Sequence, residues 1–405
     1  MKPTQQKKID QAPRLIKDRR FLFRAGKKMD ELGLVREVRN RLIVFLAALT
    51  AIINDRRRRV SVLTTGSSGG GKSRVIETPL KLFPQEWVIR RASFTTEALA
   101  YNQESMDGKI FYVTEYDGGG SSKYNLRILQ SEGELAREFT VGRKTDVTQR
   151  LGTPVVLTAT TKEKILQDDA TRFVTIAIDE TAEQNVAVFK SELGMKADSG
   201  EPPEEVWQEA TQLMKDGYEP FVFPSWFEYV AEQLPSDMVR TRRDWKRFLG
   251  LIEAIAICNP DSRRDGKITF ADYAIAFRLL ESAFAATTYA INENELWVQR
   301  AVERLRKESG QAVTISQVRE YLEWNQSMTY KFVKAAAEHK LITYEPGTKE
   351  KNVKRLLPGA KTTSRFLPSP RRLIQDVKEL GPSLEYVDPI TGEVKTLVRG
   401  RGAAA

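Results

Sequence analysis

The stretch that decides the fold is "VSVLTTGSSGGGKSRVIETPLKLF", residues 60–83. Its first part, residues 60–65, is short, apolar and β-branched, which predicts a buried strand. Its last part, from residue 72 to about residue 83, predicts a helix. Between them, residues 66–73 hold four glycines and three serines, a composition that cannot build a core. The order of strand, glycine-rich turn and helix predicts a phosphate-binding loop.

The phosphate-binding loop, residues 66–73, fits the pattern G-x-x-x-x-G-K-[ST]. Glycines let backbone N–H groups turn inward around phosphate oxygens, and the following helix presents its N-terminus to the anion. We expect the lysine to reach the β- and γ-phosphates of ATP and the serine after it to hold Mg²⁺. The predicted nucleotide-binding residues of the loop are Gly66, Gly69, Gly70, Gly71, Lys72 and Ser73.

The length of 405 residues predicts two or three domains. The composition is that of a soluble globular protein, because 41% of the residues are hydrophobic and 29% are charged. The longest apolar run, residues 42–53, is too short to span a membrane. No apolar N-terminal leader is present, so we expect a cytoplasmic protein without membrane contact. A single cysteine, Cys258, and a single histidine, His339, exclude disulfide frameworks, Cys-cluster zinc sites and histidine-based triads.

The net charge of +10 favours a polyanionic partner, most simply nucleic acid. A solubility surplus spread over the surface is the alternative. Clustering of the cations favours the first interpretation, as in "RRRR" at residues 56–59 and "RTRRDWKR" at residues 240–247.

Strands alternate with short helices over residues 34–190, which predicts a parallel α/β domain. The acids at the end of "GKIFYVTEYD", residues 108–117, identify the second strand that a nucleotide site needs. Glu115 is the candidate to orient the attacking water. Thr114 stands where an aspartate is usual, so Mg²⁺ is held by Ser73, by Asp117 or through water.

The division of the chain is predicted from changes in composition. We expect a basic N-terminal arm, an α/β core, a helical region, a helix–turn–helix with an extended pair, and a flexible basic tail. These segments are residues 1–33, 34–195, 205–308, 309–358 and 359–405.

The order of these motifs resembles the AAA+ ATPases of the minichromosome-maintenance and superfamily III helicase clade. More narrowly, it is similar to primase-helicases and MCM-like helicases of mobile elements and phages. The resemblance covers residues 34–280, with a winged-helix-like end to residue 358. It implies an AAA+ P-loop NTPase core with a parallel sheet, a presensor 1 β-hairpin, a helical lid and a C-terminal winged helix. The segments that carry it include "SFTTEALAYNQ", "LRILQSEGEL", "GTPVVLTATT" and "DDATRFVTIAIDET".

The resemblance also implies residue roles. Thr158 or Thr160 occupies the sensor 1 place and would contact the γ-phosphate or the water. Arg172 stands where the clade carries an arginine finger that acts on a neighbouring subunit's nucleotide. Arg242 or Arg243 would be sensor 2.

The presensor 1 hairpin is expected in "EFTVGRKTDVTQR", with Arg143 and Lys144 at its tip. Cations on a protruding turn suit sequence-independent contact with a phosphate backbone, although exposed turns are usually polar in any protein. A winged helix would suit duplex contact, and it is also a common protein-interaction fold.

The function that this resemblance implies is an ATP-hydrolysing DNA helicase or translocase of a mobile element or phage, acting as a homo-oligomeric ring, with six subunits expected. The alternative is an ATP-dependent DNA-binding initiator, loader or transposition regulator that does not unwind DNA. A regulatory ATPase that acts on protein is a third possibility, and the basic charge counts against it.

Overall fold

The computed structural model describes most of the chain. The described residues are 11–92, 105–114, 127–130, 133–141, 144–161, 171–194, 199–236, 238, 240–289, 291–345, 354–360 and 365–400.

The first half of the chain builds a five-stranded parallel sheet and a separate antiparallel hairpin. In chain order the strands are β1 Val62–Thr65, β2 Val88–Arg91, β3 Ile110–Val113, β4 Glu134–Val141, β5 Lys144–Leu151, β6 Val155–Thr160 and β7 Val174–Ala177. The sheet has the order β2-β3-β6-β1-β7, and β4 pairs with β5. Strands β3 and β6 are buried along their whole length, as expected for a parallel sheet covered on both faces.

The helices cover the sheet and continue into the second half of the chain. They are α1 Phe21–Glu31, α2 Val38–Leu49, α3 Lys72–Leu80, α4 Ala182–Glu192, α5 Glu204–Asp216, α6 Phe227–Glu232, α7 Thr241–Cys258, α8 Pro260–Asp265, α9 Phe270–Thr288, α10 Glu293–Ser309, α11 Ile315–Leu322, α12 Gln326–Glu338 and α13 Pro370–Asp376. Helix α2 is almost entirely buried and packs against α3, α7 and α9. The predicted parallel α/β domain with a helical region after it is therefore present.

The C-terminal part of the chain has its own hydrophobic core. Three helices, α10, α11 and α12, pack together beside an antiparallel sheet of β8 Val313–Thr314, β10 Arg355–Pro358 and β9 Ile342–Tyr344. Helix α10 belongs to this core through Val298, Ala301 and Val302. The division expected at residue 308 is thus displaced, because α10 also packs Leu296 into the main core and joins the two.

From residue 11 onward, the predicted basic arm is instead a packed part of the main core. Phe21 is 1% exposed, and its ring lies 6.2 Å from Phe45 and 5.2 Å from Trp207, centroid to centroid. Apolar residues on one face of α1 are buried, whereas most of its cations lie on the other face. Composition suggested a free arm because an average over the segment does not show that its apolar residues share one face.

The predicted flexible tail is also folded. Phe366 stacks on Phe284 with ring centroids 5.1 Å apart. Helix α13 follows, and a hairpin of β11 Ser383–Val387 and β12 Val394–Val398 packs against α9 and α13. Apolar residues spaced among prolines and arginines carry this packing, and their spacing gave no helical or strand period long enough to be recognised.

No helix within the described ranges is long and apolar enough to cross a membrane.

Candidate active site

The phosphate-binding loop joins the carboxyl end of β1 to the first turn of α3. Gly71 precedes α3 with φ 90°, a left-handed conformation that strains other residues. Gly70 has a different constraint, because a Cβ there would lie 2.4 Å from Cδ1 of Ile178. Glycine therefore suits both positions, Gly71 for its dihedral angles and Gly70 for its close approach to Ile178.

The side chain of Lys72 lies folded against its own loop. Its Nζ donates to the carbonyl oxygens of Gly66 at 3.0 Å and Ser67 at 2.5 Å. Burial lowers the pKa of Lys72, and the nearby charge of Glu180 opposes that shift. The ammonium group is thus at the mouth of the loop, where a phosphate would meet it.

Glu180 was not singled out by the sequence analysis, and it reaches into the loop. It follows β7 by three residues, and its Oε1 accepts a hydrogen bond from the Ser67 N–H at 2.5 Å. The sequence did carry a signal, since "RFVTIAIDE" places an acid after a strand that pairs with β1. Carboxyl ends of parallel strands meet at one edge of the sheet, so this acid had to lie near the loop.

Ser73 lies beside the strand that carries the predicted acids. The hydroxyl of Tyr112, in β3, donates to Oε1 of Glu77 at 3.0 Å and also lies within hydrogen-bonding reach of Ser73. Burial raises the pKa of Tyr112. The predicted Mg²⁺ ligand Ser73 is therefore held at the carboxyl end of β3, and neither Tyr112 nor Glu77 had been predicted.

The acids predicted to orient the attacking water and to hold Mg²⁺ directly follow β3 in the sequence. Glu115 and Asp117 lie outside the described residues, and Thr114, at their start, is exposed with its N–H bonded to the Arg91 carbonyl at 3.1 Å. Within the described ranges, no three histidine, cysteine or acidic side chains gather into a metal site. The metal-binding role predicted for Ser73 and Asp117 therefore stays a prediction.

The two sensor 1 candidates differ in their surroundings. Thr158 is fully buried, and its Oγ1 donates to the Val113 carbonyl at 2.8 Å. Thr160 ends β6 and pairs in register with Thr65, the residue directly before the phosphate-binding loop. Thr160 is thus the threonine placed next to the loop.

The predicted interface arginines lie at the other end of the sheet. Arg172 precedes β7, whose first residue, Val174, pairs with Val62 at the start of β1. The Nη1 of Arg172 donates to the Arg127 carbonyl at 3.3 Å. Because the phosphate-binding loop follows the carboxyl end of β1, Arg172 and the loop of one chain lie at opposite edges of the sheet.

The structure brings a sensor 2 candidate to the same edge as Arg172. Arg243, at the start of α7, donates from Nη1 to Oγ1 of Thr171 at 3.0 Å. Buried Arg247, one turn later, donates to the Thr171 carbonyl. Arg242 is exposed beside them. Arg172 and Arg243 thus form one cationic edge, remote from the nucleotide loop of their own chain.

The predicted hairpin is present as β4 and β5, paired from Glu134↔Leu151 to Val141↔Lys144. Lys144 closes the paired region, and Arg143 lies outside the described residues. The base is fixed by Arg59, whose Nη1 donates to Oδ1 of Asp107 at 2.6 Å and to the Thr153 carbonyl at 2.7 Å.

The cluster "RRRR" is therefore largely engaged inside the fold. Besides Arg59, Arg58 forms an ion pair with Glu253 at 2.8 Å, and Arg57 pairs with Asp55 at 3.0 Å. Glu253 is 1% exposed, so Arg58 neutralises a buried carboxylate. Three of the four arginines thus have acidic or carbonyl partners within the chain, and the polyanionic partner expected from the cluster stays a prediction.

A second carboxylate without a predicted role, Glu37, holds the segment that carries Glu180. Its Oε1 accepts from the Asp179 N–H at 2.6 Å, and its Oε2 accepts from Nδ2 of Asn40 at 2.7 Å. Burial raises the pKa of Glu37 to about 7, against the lowering effect of these two hydrogen bonds.

A glycine-rich loop between a buried strand and a helix, on a parallel sheet with a lysine at its mouth, defines a P-loop nucleotide-binding domain. Residues 34–222 match the family model described as the MTBMA_p00010 P-loop domain. This range includes the phosphate-binding loop, all five strands of the parallel sheet and the β4–β5 hairpin. No curated protein matches the chain.

Proposed function

We propose that this P-loop protein is an ATP-driven motor of the AAA+ type that forms a ring, translocates on DNA and unwinds it in the replication of a mobile element or phage. The observation that carries the proposal is the β4–β5 hairpin. It is inserted in the chain between β3 and β6, which are neighbours in the sheet. Its base, where the Gly152 N–H donates to the Gly133 carbonyl at 2.8 Å, lies near the amino end of β6. The hairpin therefore starts from the edge of the sheet opposite the nucleotide loop.

The phosphate-binding loop holds ATP in this proposal. Lys72 turns from the loop carbonyls to the β- and γ-phosphates, and the first turn of α3 presents backbone N–H groups to them. Mg²⁺, held by Ser73 and an acid after β3, would neutralise charge on the phosphates. Glu115 orients the attacking water, and Thr160 donates a hydrogen bond from the adjacent strand end.

The second half of each active site comes from a neighbouring copy. Arg172 and Arg243 lie at the edge of the sheet opposite their own loop, which supports a role for them at the next subunit's nucleotide. An arginine supplied this way stabilises charge on the transferred phosphoryl group, with effects of about 10³-fold or more in known cases. Repetition of this contact generates a closed ring, for which we propose six subunits.

Nucleic acid is contacted at two places in the proposal. Arg143 and Lys144, at the hairpin tip, bind the phosphates of a single strand in the channel of the ring. Helix α12 adds a duplex contact, because it is the second helix of a helix–turn–helix beside a small sheet. Its exposed residues include Ser327, Tyr330, Lys331 and Lys334.

The test is strand displacement from a forked duplex with ATP. Lys72→Ala should abolish both ATP hydrolysis and unwinding. Arg143→Ala/Lys144→Ala should lose unwinding and keep basal hydrolysis, because the hairpin starts from the edge of the sheet opposite the nucleotide loop. It should also lower the slope of log affinity against log salt by about 1.4 for single strands.

The matched control is Arg264→Ala/Lys267→Ala, which removes the same charge from two exposed positions around the end of α8. It should leave unwinding and the salt slope unchanged. If the hairpin variant unwinds as the wild type does, the hairpin is only a polar turn and the motor proposal fails.

The second candidate function, a DNA-binding initiator or loader without unwinding activity, is favoured by the exposed face of α12. It predicts ATP-dependent binding to duplex DNA with no strand displacement by the wild type. The same assay therefore separates the two proposals.

A further inference from the structure

The carboxylate of Glu180 occupies the concave face of the phosphate-binding loop. Its Oε1 accepts the Ser67 N–H and lies 3.1 Å from where a Cβ on Gly66 would be, and 3.7 Å from the equivalent point on Gly70. Inward-facing backbone N–H groups of such a loop are built to bind anions. An anion of the chain itself is thus bound by a backbone N–H of the loop that is predicted to hold phosphates.

The segment around Glu180 is fixed on both sides, so the carboxylate is held there by the fold. Ile178 packs so closely on the loop that a Cβ on Gly66 would be 2.3 Å from its Cγ1. The Asp179 N–H is bonded to Glu37. On the other side, the side chain of Thr181 caps α4 by accepting from the Gln184 N–H at 3.2 Å.

The lysine of the loop is not turned outward in this arrangement. Lys72 donates to the Gly66 and Ser67 carbonyls, while the charge of Glu180 acts on it from nearby. A phosphate group bound in this loop would lie close to the carboxylate, and the two anions would repel each other. Nucleotide binding is therefore opposed while Glu180 keeps this position.

We propose that Glu180 is an internal competitor that closes the empty phosphate-binding loop and must be displaced by the phosphates of the incoming nucleotide. The proposal rests on the assignment of this loop as the nucleotide site. In the closed state the loop is not competent to bind, so the apparent dissociation constant equals the intrinsic one divided by the fraction of molecules in the open state. Loss of the carboxylate should lower the apparent dissociation constant to its intrinsic value, because Lys72 and the N–H groups of the loop stay in place.

The experiment measures binding of a non-hydrolysable ATP analogue and of inorganic pyrophosphate to the full chain by titration calorimetry. Glu180→Gln keeps the shape of the side chain and removes its charge. If nine molecules in ten are closed, it should tighten both ligands about tenfold. Pyrophosphate is included because it lacks base and ribose, so a gain for it locates the effect at the phosphate subsite.

Glu183→Gln is the matched control, since it makes the same change three residues later at an exposed position of α4. It should leave both affinities unchanged. Hydrogen exchange gives a readout that does not depend on binding. Without nucleotide, the peptide covering residues 61–72 should exchange faster in Glu180→Gln than in the wild type, and the rest of the chain should not change.

Unchanged or weaker binding by Glu180→Gln, with Lys72-dependent binding by the wild type, would overturn the competitor proposal and leave the nucleotide site standing. Weaker binding would make Glu180 a ligand-holding residue instead. If neither the wild type nor Glu180→Gln binds the analogue, the nucleotide-site assignment fails and this proposal falls with it.

Discussion

Thr160 and Thr65 stand side by side in adjacent parallel strands, each the last residue of its strand. This register places the end of β6 against the start of the phosphate-binding loop. Thr158, two residues earlier, instead gives its hydroxyl to the Val113 carbonyl in β3. The two threonines of one strand therefore have different predicted roles, one in hydrolysis and one in the fold.

Thr160→Val should reduce ATP hydrolysis and leave nucleotide affinity within a few-fold of the wild type. Loss of one positioned donor to a developing negative charge typically costs about 10²–10³ in rate. Thr158→Val is the control: it should keep the hydrolysis rate and lower the free energy of unfolding by about 1 kcal/mol through the lost hydrogen bond. Steady-state phosphate release and urea unfolding measure the two effects. Hydrolysis at the wild-type rate in Thr160→Val would remove this residue from the site.

Arg172→Ala should leave nucleotide binding nearly intact and suppress hydrolysis, because Arg172 lies at the edge of the sheet away from its own loop. The decisive measurement mixes it with Glu115→Gln. Some interfaces in mixed rings then carry the intact loop of one protomer and the intact arginine of another, so part of the activity should return. If mixed rings form and no ratio restores hydrolysis, each site is complete within one chain.

Arg243→Ala should behave as Arg172→Ala does, because Arg243 donates to the side chain of Thr171, the residue directly before Arg172, at that edge. Its own mixing test with Glu115→Gln should also recover activity. Arg242→Ala is the neighbouring control and decides which of the two residues is sensor 2. If Arg243→Ala weakens nucleotide binding and mixing restores nothing, Arg243 acts on its own chain's nucleotide.

The pH dependence of the free energy of unfolding should reflect the raised pKa of the buried carboxylate Glu37. Its folded pKa of about 7 is raised above the ordinary value of 4.5. The folded state therefore binds this proton more tightly than the unfolded state does. The resulting stability is present at low pH and is lost as pH rises through about 7. Glu37→Gln should reduce the difference between the unfolding free energies measured at about pH 5 and about pH 8. An unaltered difference in Glu37→Gln would contradict the assignment.

Local signals predicted the α/β half of the fold well. The strand before the loop, the helix after it, the buried β3 and β6, and the hairpin all follow from short periodic or glycine-marked patterns. Register and strand order do not, because they depend on which strands pair across the sequence. The hydrogen bond between Glu180 and Ser67, which are 113 residues apart, could not be predicted for the same reason. The hydrogen bond between Arg243 and Thr171 is a second example.

The prediction of a free N-terminal arm and a flexible C-terminal tail was wrong because it rested on the high content of charged residues. Residues 11–31 and 365–400 hold apolar residues spaced among charged ones, and several of these are buried against partners far away in sequence, such as Trp207 and Phe284. Composition measures an average, whereas packing depends on which face of a helix each apolar residue occupies.

Phe21→Ala should therefore destabilise the whole protein. The ring is buried between Phe45 and Trp207, and truncation of a buried phenylalanine costs about 3–5 kcal/mol. Phe189→Ala is the matched control, because Phe189 on α4 is 62% exposed, and its loss should change the free energy of unfolding by less than about 0.5 kcal/mol. Urea denaturation followed by tryptophan fluorescence measures both variants, and Trp207 reports directly on the neighbourhood of Phe21. An N-terminal segment that is free in solution would give Phe21→Ala the same small change as Phe189→Ala, and α1 would then not be part of the core.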